Sequence, residues 1–381
     1  MTVPALLFCC LYASGMLGTI APKGWHPPEA SQAEQARHAK LAALAARAKW
    51  AKRAHQSQQR RLRTLGAPPG SDRSFGVAIP GNALQAWYLG TDIHPQLLMD
   101  FQSWGATKKR DRMPTHELKE DDTVGIRAEM FTWEPWRTPR LGSSVSNQER
   151  TQPKYSNKAI ADGKRDNYIT NWADAVKKFP TIEVYIRFAH EMNGNWYPWS
   201  LDPQEYVLAW RHVVDIFRQQ KVRNARFVWS ADFGEGPPDL AWQQNLMAYW
   251  PGKKYVDAIG TTVINFGGVD DHSVGQFTPR IGLVHQLLHI PVMLTEVNTD
   301  QQGRIRWMRD LASYVGHTSW IKAVVWSQAP SYGSKNMLTG NMNWHIDADP
   351  SRRARQTFRD LALAVSWPAT PVHQHRVSTG A

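Results

Sequence analysis

Two short segments, HEMNG at residues 190–194 and TEVN at residues 295–298, each set a glutamate at the end of an apolar run. Glu191 follows IEVYIRF (182–188), a β-branched and apolar stretch that reads as a buried strand. Beyond it Arg187, His190, Glu191, Asn193, Trp196, Tyr197 and Trp199 crowd together. The rings offer flat apolar faces and the polar groups offer directional hydrogen bonds, a mixture suited to a sugar ring with CH faces and hydroxyls. Glu296 follows the apolar PVMLT (291–295). Two carboxyl groups a few ångströms apart in a Trp-lined cleft can cleave a glycosidic bond. One protonates the leaving oxygen, and the other attacks the sugar or activates water. The plainer alternative is a satisfied Glu191–Arg187 ion pair under an aromatic lid.

The elements that must position these residues recur along the chain. Apolar runs lie at 75–79, 96–101, 124–132, 182–188, 225–230, 256–263, 291–295 and 321–327. Amphipathic segments at 168–179, 204–219, 303–315 and 352–365 fall between or after them. Eight strands alternating with helices over about 300 residues is the count and size of an α/β (β/α)8 TIM barrel. A doubly wound sheet would carry a Gly-rich turn after its first strand, and IPGNALQ (79–85) is not one. Barrel sites gather at the C-terminal strand ends. Asp100, Trp104, Trp133, Glu134, Trp136, His190, Glu191, Trp196, Trp229, Glu296, Asn298 and Trp326 all fall there. Strands four and seven, which carry the two glutamates, oppose each other across a barrel. Glu134 is either a substrate contact or half of a structural salt bridge. Asp100 and Trp104 pose the same choice, and Trp104 could equally plug the barrel mouth. Trp229 fits core or cleft floor better than a sugar platform.

The 381 residues include 18 Trp, a residue common at binding surfaces. The net charge of +12 invites a nucleic-acid reading, but its placement argues otherwise. Nine Lys and Arg against Glu34 alone crowd residues 30–66, and they hold eight of the twelve charges. No Gly-rich phosphate loop or Cys/His zinc spacing appears, and the only cysteines, Cys9 and Cys10, are adjacent. Residues 1–22 read as a signal peptide or membrane anchor. Residues 23–70 read as a basic, helical linker or arm, residues 71–366 as the barrel domain, and residues 367–381 as a flexible tail. These features predict an exported monomer, secreted or periplasmic, or anchored by residues 3–21. Its arm could meet an anionic membrane or polymer. No nucleic acid, metal or cofactor is expected.

RFAHEMNGNWYPW (187–199), with TWEPW, YWPGKKYVDAIG, TEVN and VVWS, resembles glycoside hydrolase family 26. This is the β-mannanase family, which also contains β-glucan and β-xylan enzymes, and the resemblance spans about residues 75–349. It implies a retaining endo-glycosidase with Glu191 as acid/base and Glu296 as nucleophile. It implies that Arg187 orients the carboxylates, that His190 contacts sugar, and that Trp196 and Trp326 line the cleaved subsite. The family often has an Asp and a Tyr just after strand six. Here Thr262 and Ile264 stand near those places, and Asn265 is the expected substitute donor. Ser327 replaces an Arg that mannanases can carry after the strand-eight Trp. A β-mannan, a β-glucan, a xylan or a bacterial exopolysaccharide are the substrates implied. The alternative is a carbohydrate-binding pseudoenzyme, or a polyanion binder working through the basic arm.

Overall fold

A computed structural model describes Lys49 and residues 73–79, 84–105, 113–115, 118–119, 126, 128–137, 152–200, 202–267, 271–328, 345–347 and 349–366. The expected leader, nearly all of the arm, and the tail lie outside these residues. Strands β1 (Ser74–Ala78), β2 (Leu97–Ser103), β3 (Ala128–Glu134), β4 (Glu183–Phe188), β5 (Ala225–Ala231), β6 (Ala258–Asn265), β7 (Val292–Thr299) and β8 (Ile321–Ser327) pair in parallel, each with the next. β8 closes on β1, with Trp326 opposite Val77. The result is the (β/α)8 TIM barrel that the spacing of apolar runs predicts.

Side chains alternate across each strand and feed two cores. Leu97, Met99, Met130, Val228, Met293 and Val325 fill the barrel interior. Phe75, Val77, Phe131, Ile186, Leu294 and Val324 point outward against the helices. The helices are amphipathic for the same reason. In α4 (Pro203–Gln219) the Asp202 side chain accepts a hydrogen bond from the Glu205 N–H, and Pro203 opens the first turn. Tyr206, Trp210, Val213, Val214 and Phe217 then form one buried stripe. In α8 (Arg352–Ser366) Phe358, Leu361 and Val365 do the same. Much of the tryptophan lies in this outer layer. Trp104, Trp133, Trp172, Tyr168 of α3 (Asp166–Val176) and Phe188 form a continuous aromatic cluster, with Trp104 and Trp133 centred 4.6 Å apart. Each such pair contributes about 1 kcal/mol beyond its area.

β7 departs from regular pairing. Thr261 of β6 faces Leu294, yet Thr262 faces Glu296, so Thr295 is an extra residue in β7. The β8 side shows the same shift between Leu294 and Val297. Strict alternation from Met293, which points inward, would send Glu296 out toward the helices. The bulge reverses the parity, so that Thr295 reaches Ser230 inside the barrel at 3.3 Å and Glu296 also turns inward. A Cβ on Gly260 would lie 2.9 Å from the Thr295 methyl and 2.7 Å from Ser230 Oγ, so only glycine leaves room for this arrangement.

Candidate active site

Past Phe188 the chain leaves the strand sharply. Ala189 and Glu191 adopt φ values of 45° and 52°, in the left-handed region that costs about 1–3 kcal/mol for a residue with a Cβ. Two backbone bonds fix the turn. Ala189 N–H donates to the Trp133 carbonyl at 3.1 Å, and Glu191 N–H donates to the Ser230 carbonyl at 2.7 Å. The strained turn is thus clamped between β3 and β5, with His190 and Glu191 held at the barrel mouth.

Arg187 lies fully buried beneath them. Its Nη1 donates to Glu296 Oε1 at 2.6 Å and to Thr132 Oγ1 at 3.2 Å, and its Nε donates to Ser230 Oγ at 2.8 Å. Its Nη2 stands 4.0 Å from Glu191 Oε1. Glu191 accepts at both oxygens, from Thr262 Oγ1 at 2.5 Å on Oε1 and from Trp196 Nε1 at 2.9 Å on Oε2. One carboxylate oxygen each of Glu191 and Glu296 and a ring nitrogen of His190 lie within 4.8 Å of one another. These three are the group that converges as metal ligands would among the described residues. Arg187 already supplies the positive charge the carboxylates face, and the arrangement suits carboxylate chemistry.

The two glutamates differ in their surroundings. Burial, and then the charge of Glu296, push the Glu191 carboxyl up to about 7, against the weaker lowering by Arg187 and Thr262. Glu296 instead has the guanidinium in direct contact. Glu134, at the end of β3, is also raised to about 7, first by burial. It accepts a hydrogen bond from Trp136 Nε1 at 3.2 Å. No salt bridge joins Glu134 among the described residues, which leaves it a third carboxyl facing the mouth. His190 is fully buried, with both ring nitrogens unpartnered. Its ring packs 4.7 Å from Tyr197 and 6.0 Å from Phe101. Burial and the nearby Arg187 hold it well below the ordinary histidine range, so it is neutral.

The structure therefore brings Arg187, His190, Glu191, Glu296, Glu134 and Trp196 together. Trp196 is 42% exposed beside Glu191, and its ring lies directly over Gly194, where a Cβ would come within 2.5 Å. The remaining expectations are corrected. Trp326 is fully buried on the outward parity of β8, packed edge-on against Phe358 of α8 at 4.8 Å, and presents no face to the mouth. Trp104 lies in the outer aromatic layer. Asp100 is on the opposite side of β2 from Phe101 and accepts from the Phe101 N–H and from Gln102. Asn265 staples its own loop. Its amide donates to Asp271 at 2.9 Å and Thr299 at 3.3 Å, and its carbonyl accepts from the Gly267 and His272 N–H groups.

Several site residues escape sequence reasoning. Thr262 touches Glu191 where Asn265 was expected to provide a donor. Ser230 and Thr132 anchor Arg187. Asp232, whose carboxyl burial raises, stands close enough to push Glu191 up in turn. The one available signal was parity: Val228 and Ser230 share the inward face of β5, and Asp232 follows its end on the same alternation.

Residues 148–314 match glycosyl hydrolase family 26. Endoglucanase H of Acetivibrio thermocellus is 28% identical over 267 residues, covering 64% of this chain and 26% of that protein. Mannan endo-1,4-beta-mannosidase A and B of Caldalkalibacillus mannanilyticus is 26% identical over 117 residues, 27% of this chain and 21% of that protein. The chain thus spans about a quarter of the length of these curated relatives. Among solved structures, the catalytic domain of the Bacillus sp. JAMB-750 GH26 endo-β-1,4-mannanase superposes with a TM-score of 0.54 at 15% identity, covering 76% of this chain and 86% of that one. A GH26 β-mannanase from Bacteroides ovatus gives 0.51 at 13% identity, covering 81% and 94%. At these identities the structural likeness is one of fold. The matched segment carries HEMNG just after β4 and TEVN on β7 of the same barrel, and over that segment the chain is similar to glycosyl hydrolase family 26.

Proposed function

We propose that the chain is a retaining, endo-acting glycosidase that hydrolyses a β-linked polysaccharide without a cofactor. The observation that carries this reading is the approach of Glu191 and Glu296 to within 4.8 Å, oxygen to oxygen, around a buried arginine. An inverting pair needs roughly 6.5–9.5 Å to admit water, whereas a retaining pair stands about 5–5.5 Å apart. In the first step Glu191 protonates the glycosidic oxygen, which departs with the bond pair, while a Glu296 oxygen bonds to the anomeric carbon. In the second, Glu191 takes a proton from water, the water oxygen bonds to that carbon, and Glu296 leaves with its electron pair. A carboxyl raised to about 7 can serve as acid and then base near neutrality. His190, neutral with two unpartnered nitrogens, supplies a hydrogen bond to a sugar hydroxyl, and the exposed Trp196 face supports a ring beside the cleaved bond.

The curated relatives are named for glucan and mannan cleavage, and mannan and mixed-linkage glucan are accordingly the first substrates to try. Xylan and bacterial exopolysaccharides follow. The apolar residues 3–21 and the basic arm support export, with attachment to an anionic surface. The test is to incubate the purified protein with these polymers and record the product anomer by NMR before mutarotation. Product that first appears in the β configuration is expected. Product of inverted configuration overturns the mechanism, and absence of cleavage on every polymer overturns the enzyme reading.

A further inference from the structure

Glu191 must serve as an acid in one half of the proposed cycle and as a base in the other, and its two hydrogen-bond partners differ in what they permit. Trp196 Nε1–H donates to Oε2, and an indole can only donate. Oε2 is therefore held as an acceptor whichever state Glu191 is in. Thr262 Oγ1 lies 2.5 Å from Oε1, at the short end for a hydroxyl bonded to a charged oxygen. A hydroxyl both donates and accepts. We infer that Thr262 is a positioning residue for Glu191: the mobile proton resides on Oε1, and the Thr262 hydroxyl reverses its hydrogen bond as that proton comes and goes.

This inference rests on the glycosidase reading, since only that reading makes Glu191 change state twice per turnover. With Glu191 protonated, Oε1–H donates to Thr262 Oγ1. As the proton passes from Oε1 to the glycosidic oxygen, the carboxylate left behind accepts the Thr262 hydroxyl instead. In the second step water gives its proton to Oε1, and Thr262 returns to accepting. No proton is gained or lost at Thr262, and no charge is placed there. A carboxylate in its position would add a negative charge beside Glu191 and could not donate while ionised. The fold places Thr262 for this task. Thr262 is the β6 residue paired with Glu296, immediately after the register shift, so one inward side chain stands beside both carboxyl groups.

The experiment compares the wild-type chain with Thr262→Val, which keeps shape and removes the hydroxyl, and Thr262→Ser, which keeps the hydroxyl. Glu191 is titrated directly by infrared spectroscopy of its carboxyl band, isolated by subtracting the spectrum of Glu191→Gln in the same background. The hydroxyl bonds both states and holds the ionised one the more strongly, so the Thr262→Val midpoint moves up by about one pH unit, while Thr262→Ser stays with wild type. A second readout uses an aryl β-glycoside with a good leaving group, whose slow step needs Glu191 as base. At pH 6 kcat falls about tenfold in Thr262→Val, and kcat/KM, which reports a first step needing no acid, holds. A role limited to packing would move neither. An unshifted midpoint in Thr262→Val, or an equal shift in Thr262→Ser, overturns the inference. The expected shift in a protein that cleaves no β-glycan leaves the Thr262–Glu191 bond established and overturns the glycosidase reading instead.

Discussion

Gly194→Ala tests whether the Trp196 ring serves Glu191 or merely covers it. A Cβ on Gly194 would fall 2.5–2.6 Å from Cη2, Cζ2 and Cζ3 of Trp196. Carbon atoms settle about 3.5–4.0 Å apart, so the ring must withdraw by about 1 Å. Its Nε1 now lies 2.9 Å from Glu191 Oε2. A further 1 Å ends that hydrogen bond. Because Trp196 is 42% exposed, the ring can swing toward solvent, and the cost to stability stays under about 1 kcal/mol. The cost to chemistry is larger. A hydrogen bond to a charged group is worth about 1.5–3 kcal/mol, which corresponds to a loss of roughly 10- to 150-fold in the step that needs Glu191 ionised. Removing a donor that favours the ionised form moves the Glu191 carboxyl above about 7, so the basic limb of the pH–rate profile shifts to higher pH. Urea unfolding and the pH dependence of kcat and kcat/KM on an aryl β-glycoside separate the two effects. A wild-type pH profile combined with a stability loss of several kcal/mol would refute the reasoning and show the glycine to serve packing alone.

Three further perturbations address separate parts of the structure. Glu296→Ala abolishes turnover of every substrate, while Glu191→Ala retains a first burst on activated aryl glycosides and regains turnover with azide, yielding the β-glycosyl azide; rescue of the Glu296 variant alone would exchange the roles. Glu134→Gln stabilises the fold at pH 8 by at most about 3 kcal/mol and has little effect below pH 4.5, measured by denaturant titration at both pH values. The sign follows from a carboxyl at about 7 when folded and 4.5 otherwise: the native state holds the extra proton in that window, so wild-type stability falls as pH rises through it. A chain starting at residue 71 keeps its activity on soluble oligosaccharides and loses salt-sensitive binding to anionic vesicles, within a screening length of about 10 Å at 0.1 M salt; an unfolded or inactive truncation would assign the arm to the barrel domain.

Strand positions were legible because short apolar runs, five to nine residues long, mark buried parallel strands. The helices at 203–219 and 352–366 were legible because their apolar residues recur at helical spacing. The helix at Val274–Leu288 was not, since Pro279 interrupts the pattern and its apolar face is diffuse. HEMNG and TEVN marked the two carboxylates, but the tryptophans misled. Trp326 and Trp104 occupy strand-end positions in sequence, and parity sends both into the helix layer. Recognising that requires knowing which neighbour on each strand faces inward, and for β7 that parity depends on a bulge that no residue type announces. Asn265 was misplaced for a related reason: its amide is consumed by its own loop, a contact set by the turn after β6.

The extra residue at Thr295 divides β7 into two independently tunable halves. Below it, substitutions at Met293 alter how the barrel interior fills without rotating anything at the mouth. Above it, the cleft can change its lining without disturbing that filling. The division also makes the site tolerant of one kind of genetic event. A single-codon deletion at Thr295 would make the alternation regular, with Met293 inward, Leu294 outward and Glu296 inward, so the strand would lose the Thr295–Ser230 contact and keep its carboxylate at the mouth. Among duplicated copies of such a barrel, the extra residue can therefore be lost while the glutamate is still presented to a sugar, whereas a residue inserted between Thr295 and Glu296 would turn it away.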